Sequence, residues 1–137
     1  MNTNNKEILR RFRVAMTWAG EQLESCKGLE SFELRDAIVN RSEFIADKRL
    51  VDGADKYHRE VPITLQECKD VDRNNLAETI EEVIDALIYI IAEEILQTEL
   101  ECDIASRYLK KANAYLYYAL FFLMVADMHD KKGKENE

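Results

Sequence analysis

Apolar residues recur at helical spacing through the first half of the chain. They stand three or four positions apart from Ile8 to Leu23, and the same spacing returns from Leu34 to Ile45. This spacing places apolar side chains along one face of an α-helix. The pattern predicts a first helix that begins near Asn4, ends near Gly28, and is followed by a second helix that Ser31 caps.

The second half of the chain shows a stronger helical pattern, over residues 72–97 and again over 99–128. A single helix over both ranges would be more than about 80 Å long. We therefore predict a break within residues 97–103. Residues 59–71 contain the only proline, Pro62, which disfavours helical geometry at the preceding residue, and are predicted to form a loop.

Composition supports a fold made of helices alone. The chain has only four glycines and one proline in 137 residues, whereas folds rich in strands need many turns that use these residues. The sequence predicts an all-α fold, a helical bundle of about four to five helices. Residues 1–130 are expected to form a single domain, and residues 131–137 a polar tail.

The charge and the cysteines exclude several classes of protein. The net charge of −8 repels phosphate backbones, so a nucleic acid is not an expected partner. Cys26, Cys68 and Cys102 match neither a disulfide framework nor a zinc motif. Because no apolar run is long enough to span a membrane and the first five residues lack the apolar core of a signal peptide, we expect a cytoplasmic protein with reduced thiols and no membrane partner.

The most unusual feature is a set of four carboxylates on one helix. At about 100° per residue, they share a stripe roughly 100° wide; this acidic stripe consists of Glu78, Glu81, Glu82 and Asp85. No lysine or arginine between positions 73 and 107 relieves their mutual repulsion. The stripe is either a solvated helix face or, because carboxylate oxygens suit hard cations, a site for Mg²⁺ or alternatively Mn²⁺. A di-iron carboxylate site is disfavoured because neither histidine follows a glutamate by three positions.

Two segments resemble one known family. The segment Glu78–Tyr89 resembles the Glu-Glu-x-x-Asp helix of the all-α nucleoside triphosphate pyrophosphatases, the MazG-like and dimeric-dUTPase-like group. Upstream, the segment Arg49–His58 resembles the Gly-Ala-x-Lys-Tyr-Gly segment of phage-type MazG-like proteins, with His58 in place of the last glycine. The two segments together cover about residues 49–92.

The resemblance implies a Mg²⁺-dependent enzyme that converts a nucleoside or deoxynucleoside triphosphate to the monophosphate and pyrophosphate. It also implies a helical homo-oligomer, either a dimer or a tetramer. All four residues of the acidic stripe would be metal ligands, and Glu81, Glu82 and Asp85 would be catalytic. Lys56, Tyr57, Lys110 and Asn113 are candidates for substrate binding. A surface lysine and a half-buried tyrosine would explain Lys56 and Tyr57 as well, and a plain helix surface would explain Lys110.

The last helix gives an independent reason to expect an oligomer, because it is apolar on nearly every side between Tyr115 and Phe122. A single small domain cannot cover both faces of such a helix, and Trp18 is likewise expected in the core or at a subunit interface. Two other functions remain open. In the first, the protein is a non-enzymatic helical module of phage or mobile-element origin that docks its stripe on a basic partner. In the second, it is an inactive family member that binds nucleotide.

Overall fold

The computed structural model describes residues 3–23 and 31–131, and every regular element within these ranges is an α-helix. The five helices are α1 (Thr3–Gln22), α2 (Phe32–Tyr57), α3 (Leu65–Asp70), α4 (Asn75–Glu99) and α5 (Asp103–Met128). The predicted all-α class and number of helices are confirmed. The predicted helix end at Gly28 and most of the predicted tail lie outside the described residues.

The chain divides into two compact units, residues 1–67 and 68–137. In the first unit, α1 packs against α2 in the antiparallel sense. Near the end of α1, a methyl group added at Gly20 would lie 3.8 Å from the side chain of Arg35, close to the start of α2. Farther along α2, Asn40 Oδ1 accepts a 3.1 Å hydrogen bond from Arg13. The predicted cap of α2 is confirmed, since Ser31 Oγ accepts the N–H of Leu34 at 3.2 Å.

The structure of residues 59–71 differs in part from the predicted loop. It begins as a loop, but α3 forms inside the predicted loop, where Thr64 Oγ1 accepts the N–H of Glu67 at 3.1 Å. A hydroxyl at this position satisfies one of the free N–H groups of the first helical turn. Pro62 is the buried residue here, while Ile63 and Leu65 are 48% and 44% exposed.

In the second unit, α4 and α5 form a helical hairpin. Asn74 caps α4, because its Oδ1 accepts the N–H of Ala77 at 3.1 Å. The predicted break is confirmed, as three residues separate the two helices and Cys102 N donates to Gln97 O at 3.0 Å. A connection this short forces the helices to run antiparallel.

The hairpin packs along one stripe of each helix. Partly or fully buried apolar residues recur in steps of three, four or seven, namely Leu76, Ile80, Val83, Leu87 and Ile90 in α4 and Leu109, Leu116, Leu120 and Leu123 in α5. Leu87, at 5% exposure, is the one fully buried hydrophobic residue among the described residues of this hairpin. Two helices in contact along single stripes therefore leave most of their remaining surface open.

Two further observations bear on the sequence predictions. Trp18 is 62% exposed, because α1 turns this residue away from α2. Of its two predicted positions, the core does not hold for the single chain, and the subunit interface stays a prediction. No described helix combines the length and apolar character that crossing a membrane requires.

Candidate functional site

The acidic stripe lies on the side of α4 that faces away from α5. All four of its carboxylate residues are exposed, and Tyr89, on the same stripe one turn later, is 74% exposed. The packed residue Leu87 lies about 180° around the helix from Glu78 when each residue turns the helix by about 100°. The hairpin therefore presents the stripe as an open surface.

The described part of the chain does not neutralise this surface. Among residues 3–23 and 31–131, no ion pair involves a carboxylate of the stripe. Within residues 3–23 and 31–131, no three acidic, histidine or cysteine side chains converge closely enough to hold a metal ion. A cation at the stripe would therefore need further ligands such as water or phosphate oxygens. Mg²⁺ commonly binds in this way, through one or two carboxylates together with waters and substrate phosphates.

Lys110 and Asn113 lie on α5 in different environments. Lys110 is exposed, and no ion pair joins it to a stripe carboxylate in the described chain. Asn113 lies on the half-buried side of α5, where its Oδ1 is buried without a hydrogen-bond donor. Glu94 Oε1, on the packed side of α4, is likewise buried without a hydrogen-bond donor. The amide of Asn113 thus lies inside the hairpin, and its predicted role in reading a base stays a prediction.

Lys56 and Tyr57 lie at the end of α2, in the first compact unit. The Tyr57 ring is half exposed, with Lys56 Nζ 5.2 Å and the Arg59 guanidinium carbon 5.5 Å from its centroid. Cations at these distances are attracted to the electron-rich ring face. The result is an exposed aromatic ring with two positive charges beside it. An anion with an aromatic group, such as a nucleotide, matches this surface.

Arg59 is the functional candidate that the sequence reasoning missed. A positive residue two positions after Tyr57 was a visible signal, but a continuing helix would place it on a different face. The helix ends at Tyr57, and the next residue, His58, adopts a left-handed conformation with φ 57° and ψ 29°. This turn brings Arg59 to the ring. Residues with a side chain adopt this conformation at a cost, whereas glycine adopts it readily.

Compared with known proteins, the chain matches no family model, no curated protein and no solved structure. The resemblance to the MazG-like family therefore rests on the two sequence segments alone and stays a prediction.

Proposed function

We propose that this protein is a Mg²⁺-dependent nucleoside triphosphate pyrophosphohydrolase, which cleaves a nucleoside or deoxynucleoside triphosphate into a monophosphate and pyrophosphate. The observation that carries the proposal is the acidic stripe, four exposed carboxylates on one helix face without a basic partner in the described chain. Carboxylates at such spacing repel one another. A divalent cation removes this repulsion and bridges the stripe to a triphosphate.

Each carboxylate of the stripe has a place in this proposal. One or two of Glu78, Glu81, Glu82 and Asp85 would hold the cation together with waters and phosphate oxygens, and the cation would supply Lewis-acid polarisation of the phosphoryl oxygens. A carboxylate of the stripe that does not bind the cation would orient the attacking water and accept its proton. Exposure suits both roles, because the stripe must receive a hydrated ion and a charged substrate.

In the first unit, the group of Lys56, Tyr57 and Arg59 would provide a nucleotide-binding surface. Its two cations suit phosphate oxygens, and the ring face of Tyr57 offers a stacking surface to a base. Lys110 is an exposed cation on α5 that would also contact phosphate.

The test is release of pyrophosphate from a panel of canonical and modified nucleoside triphosphates with Mg²⁺. We expect wild type to release pyrophosphate, and Glu82→Gln and Asp85→Asn each to lose activity by about 100-fold or more. Glu99→Gln, an exposed glutamate at the far end of α4, is the matched control and is expected to retain activity.

A different outcome would favour one of the two non-enzymatic functions, the inactive nucleotide-binding protein or the helical interaction module. If the folded wild-type protein releases no pyrophosphate from any triphosphate, calorimetric titration with Mg²⁺ and a non-hydrolysable triphosphate separates the remaining functions. Saturable binding that Glu82→Gln abolishes identifies a nucleotide-binding protein. Absence of binding identifies a helical interaction module, for which a basic partner would match the exposed stripe.

A further inference from the structure

The second half of α5 carries a wide uncovered apolar surface. Eight of its side chains are 45–75% exposed, namely Tyr115, Tyr117, Tyr118, Phe121, Phe122, Met124, Val125 and Met128. No charged residue occurs from Ala112 to Ala126. We call these eight residues the α5 face.

The α5 face covers the whole side of the helix that α4 leaves free. Leu116, Leu120 and Leu123 point towards α4, as their partial burial shows. At about 100° per residue, the eight exposed residues occupy the opposite arc, which is about 180° wide with Tyr118 and Val125 near its middle. An amphipathic surface helix would carry polar residues on this arc.

The area of this surface is as large as one side of a stable protein–protein interface. Large side chains present on the order of 150–250 Å² each when open, so eight of them at these exposures offer roughly 1,000 Å². The largest apolar patch of an ordinary monomer is about 300–600 Å², whereas a stable interface buries about 800 Å² on each partner. The hairpin also buries only Leu87 fully, and a two-helix hairpin with so small a core needs further packing.

We propose that the α5 face packs against the α5 face of a second copy of this chain, about a two-fold axis. In such an interface the same patch meets itself, so any charge on the patch would face a like charge. This stretch carries none, although the chain has a net charge of −8. Its aromatic residues are of the type that supplies most of the binding energy at protein interfaces.

The chemistry of the α5 face does not suit a lipid surface. Helices that lie on membranes usually carry lysine and arginine beside their apolar side, whereas this stretch has no basic residue and the whole chain is acidic. The proposed interface stands independently of the pyrophosphohydrolase activity. Because the acidic stripe lies on the other side of α4, the interface leaves the stripe of each copy open.

Sedimentation velocity of the full chain tests the proposal. We expect wild type to sediment as a dimer or higher even-numbered assembly, and Tyr118→Glu to weaken association by at least about 100-fold, because it buries a charge at the centre of the interface. Lys111→Glu, in the charged first half of α5, is the matched control and is expected to remain associated. Circular dichroism of each variant reports whether the helices are intact.

Cross-linking locates the contact without a destabilising charge. In a chain whose three cysteines are replaced by serine, Tyr118→Cys is expected to give a covalent dimer with a short bismaleimide, and Glu82→Cys on the acidic stripe is expected to give none. A monomeric wild type overturns the proposal, and co-sedimentation of that monomer with lipid vesicles would assign the face to a membrane. An associated wild type that cross-links only through Glu82→Cys also overturns it.

Discussion

The backbone N–H of Asn5 donates a 3.0 Å hydrogen bond to Oε1 of Glu60, a residue 55 positions farther along the chain. The other oxygen of the same carboxylate accepts the N–H of Asn4 at 3.3 Å. Glu60 thus caps the start of α1, where free N–H groups and the helix dipole favour a negative charge. This contact fixes the loop after α2 against the first turn of α1.

Substitution of Asn5 is expected to destabilise the first unit. The side chain is 1% exposed, its Nδ2 donates to Leu50 O, and its Oδ1 accepts the N–H of Val61, both at 3.4 Å. Asn5→Ala leaves the N–H of Val61 without this acceptor and removes the side-chain hydrogen bond to Leu50 O, and we expect the free energy of unfolding to fall by about 1–3 kcal/mol. Urea denaturation followed by circular dichroism measures the change. The control is Asn40→Ala at an exposed position of α2, and an equal loss in both variants would contradict the role of Asn5.

The stability of the first unit is expected to decrease in acid. The hydrogen bond that Asn4 Nδ2 donates to Glu67 Oε2, together with Thr64, lowers the pKa of Glu67 below its usual 4.5. Because the folded state holds this proton less readily than the unfolded state, the carboxylate stabilises the fold above about pH 4.5. That contribution is lost as the pH falls through the lowered pKa.

Urea midpoints measured across this pH range test the role of Glu67. Glu67→Gln is expected to show a smaller decrease in acid than wild type. Some decrease should remain, since hydrogen bonds from Arg10 and Arg11 lower the pKa of Glu7 to about 2. Identical acid profiles for wild type and Glu67→Gln would contradict the assignment.

Neutralising one carboxylate of the acidic stripe is expected to stabilise the protein when Mg²⁺ is absent. Glu82 has like charges four residues before it, at Glu78, and three residues after it, at Asp85. Removing two such repulsions is expected to raise the free energy of unfolding of Glu82→Gln by about 0.2–0.5 kcal/mol for each pair. Thermal unfolding with a chelator, and again with Mg²⁺, makes the comparison. If the stripe binds the cation, added Mg²⁺ stabilises wild type more than Glu82→Gln.

The cations beside Tyr57 are expected to contribute to nucleotide binding. Arg59→Gln removes one of two charges at the ring, and we expect KM for the triphosphate to rise by about 10-fold with little change in kcat, as for a contact made equally in ground and transition states. Lys48→Gln, at an exposed position of α2, is the control. A loss of kcat without a change in KM would assign Arg59 a different role.

His58 is expected to cost stability through its backbone. Its φ of 57° lies in the left-handed region, so His58→Gly relieves steric strain and is expected to raise the free energy of unfolding by about 0.5–1 kcal/mol. The control is His129→Gly after α5, where φ is −102° and glycine brings no such relief. Chemical denaturation of both variants gives the comparison, and a loss of stability in His58→Gly would show that the imidazole makes a stabilising contact.

The sequence alone determined those features that depend on neighbouring residues. Ser31 was predicted to cap α2 and does so, because the accepting side chain lies only three residues before the donating N–H. The break between α4 and α5 followed from length. The shared stripe of Glu78 and Asp85 followed from the helical repeat, since residues seven positions apart lie on one face.

The features that depend on residues far apart along the chain were decided only by the tertiary structure. The capping of α1 by Glu60 joins positions 55 residues apart along the chain, and no local pattern encodes such a pairing. The position of Arg59 beside Tyr57 depended on the left-handed turn at His58, a conformation that residues with a side chain seldom adopt. Periodicity marks which face of a helix is apolar, but the helix that covers the face is set by the path of the whole chain. For this reason the exposed positions of Trp18 and the α5 face appeared only when the helices were placed in space.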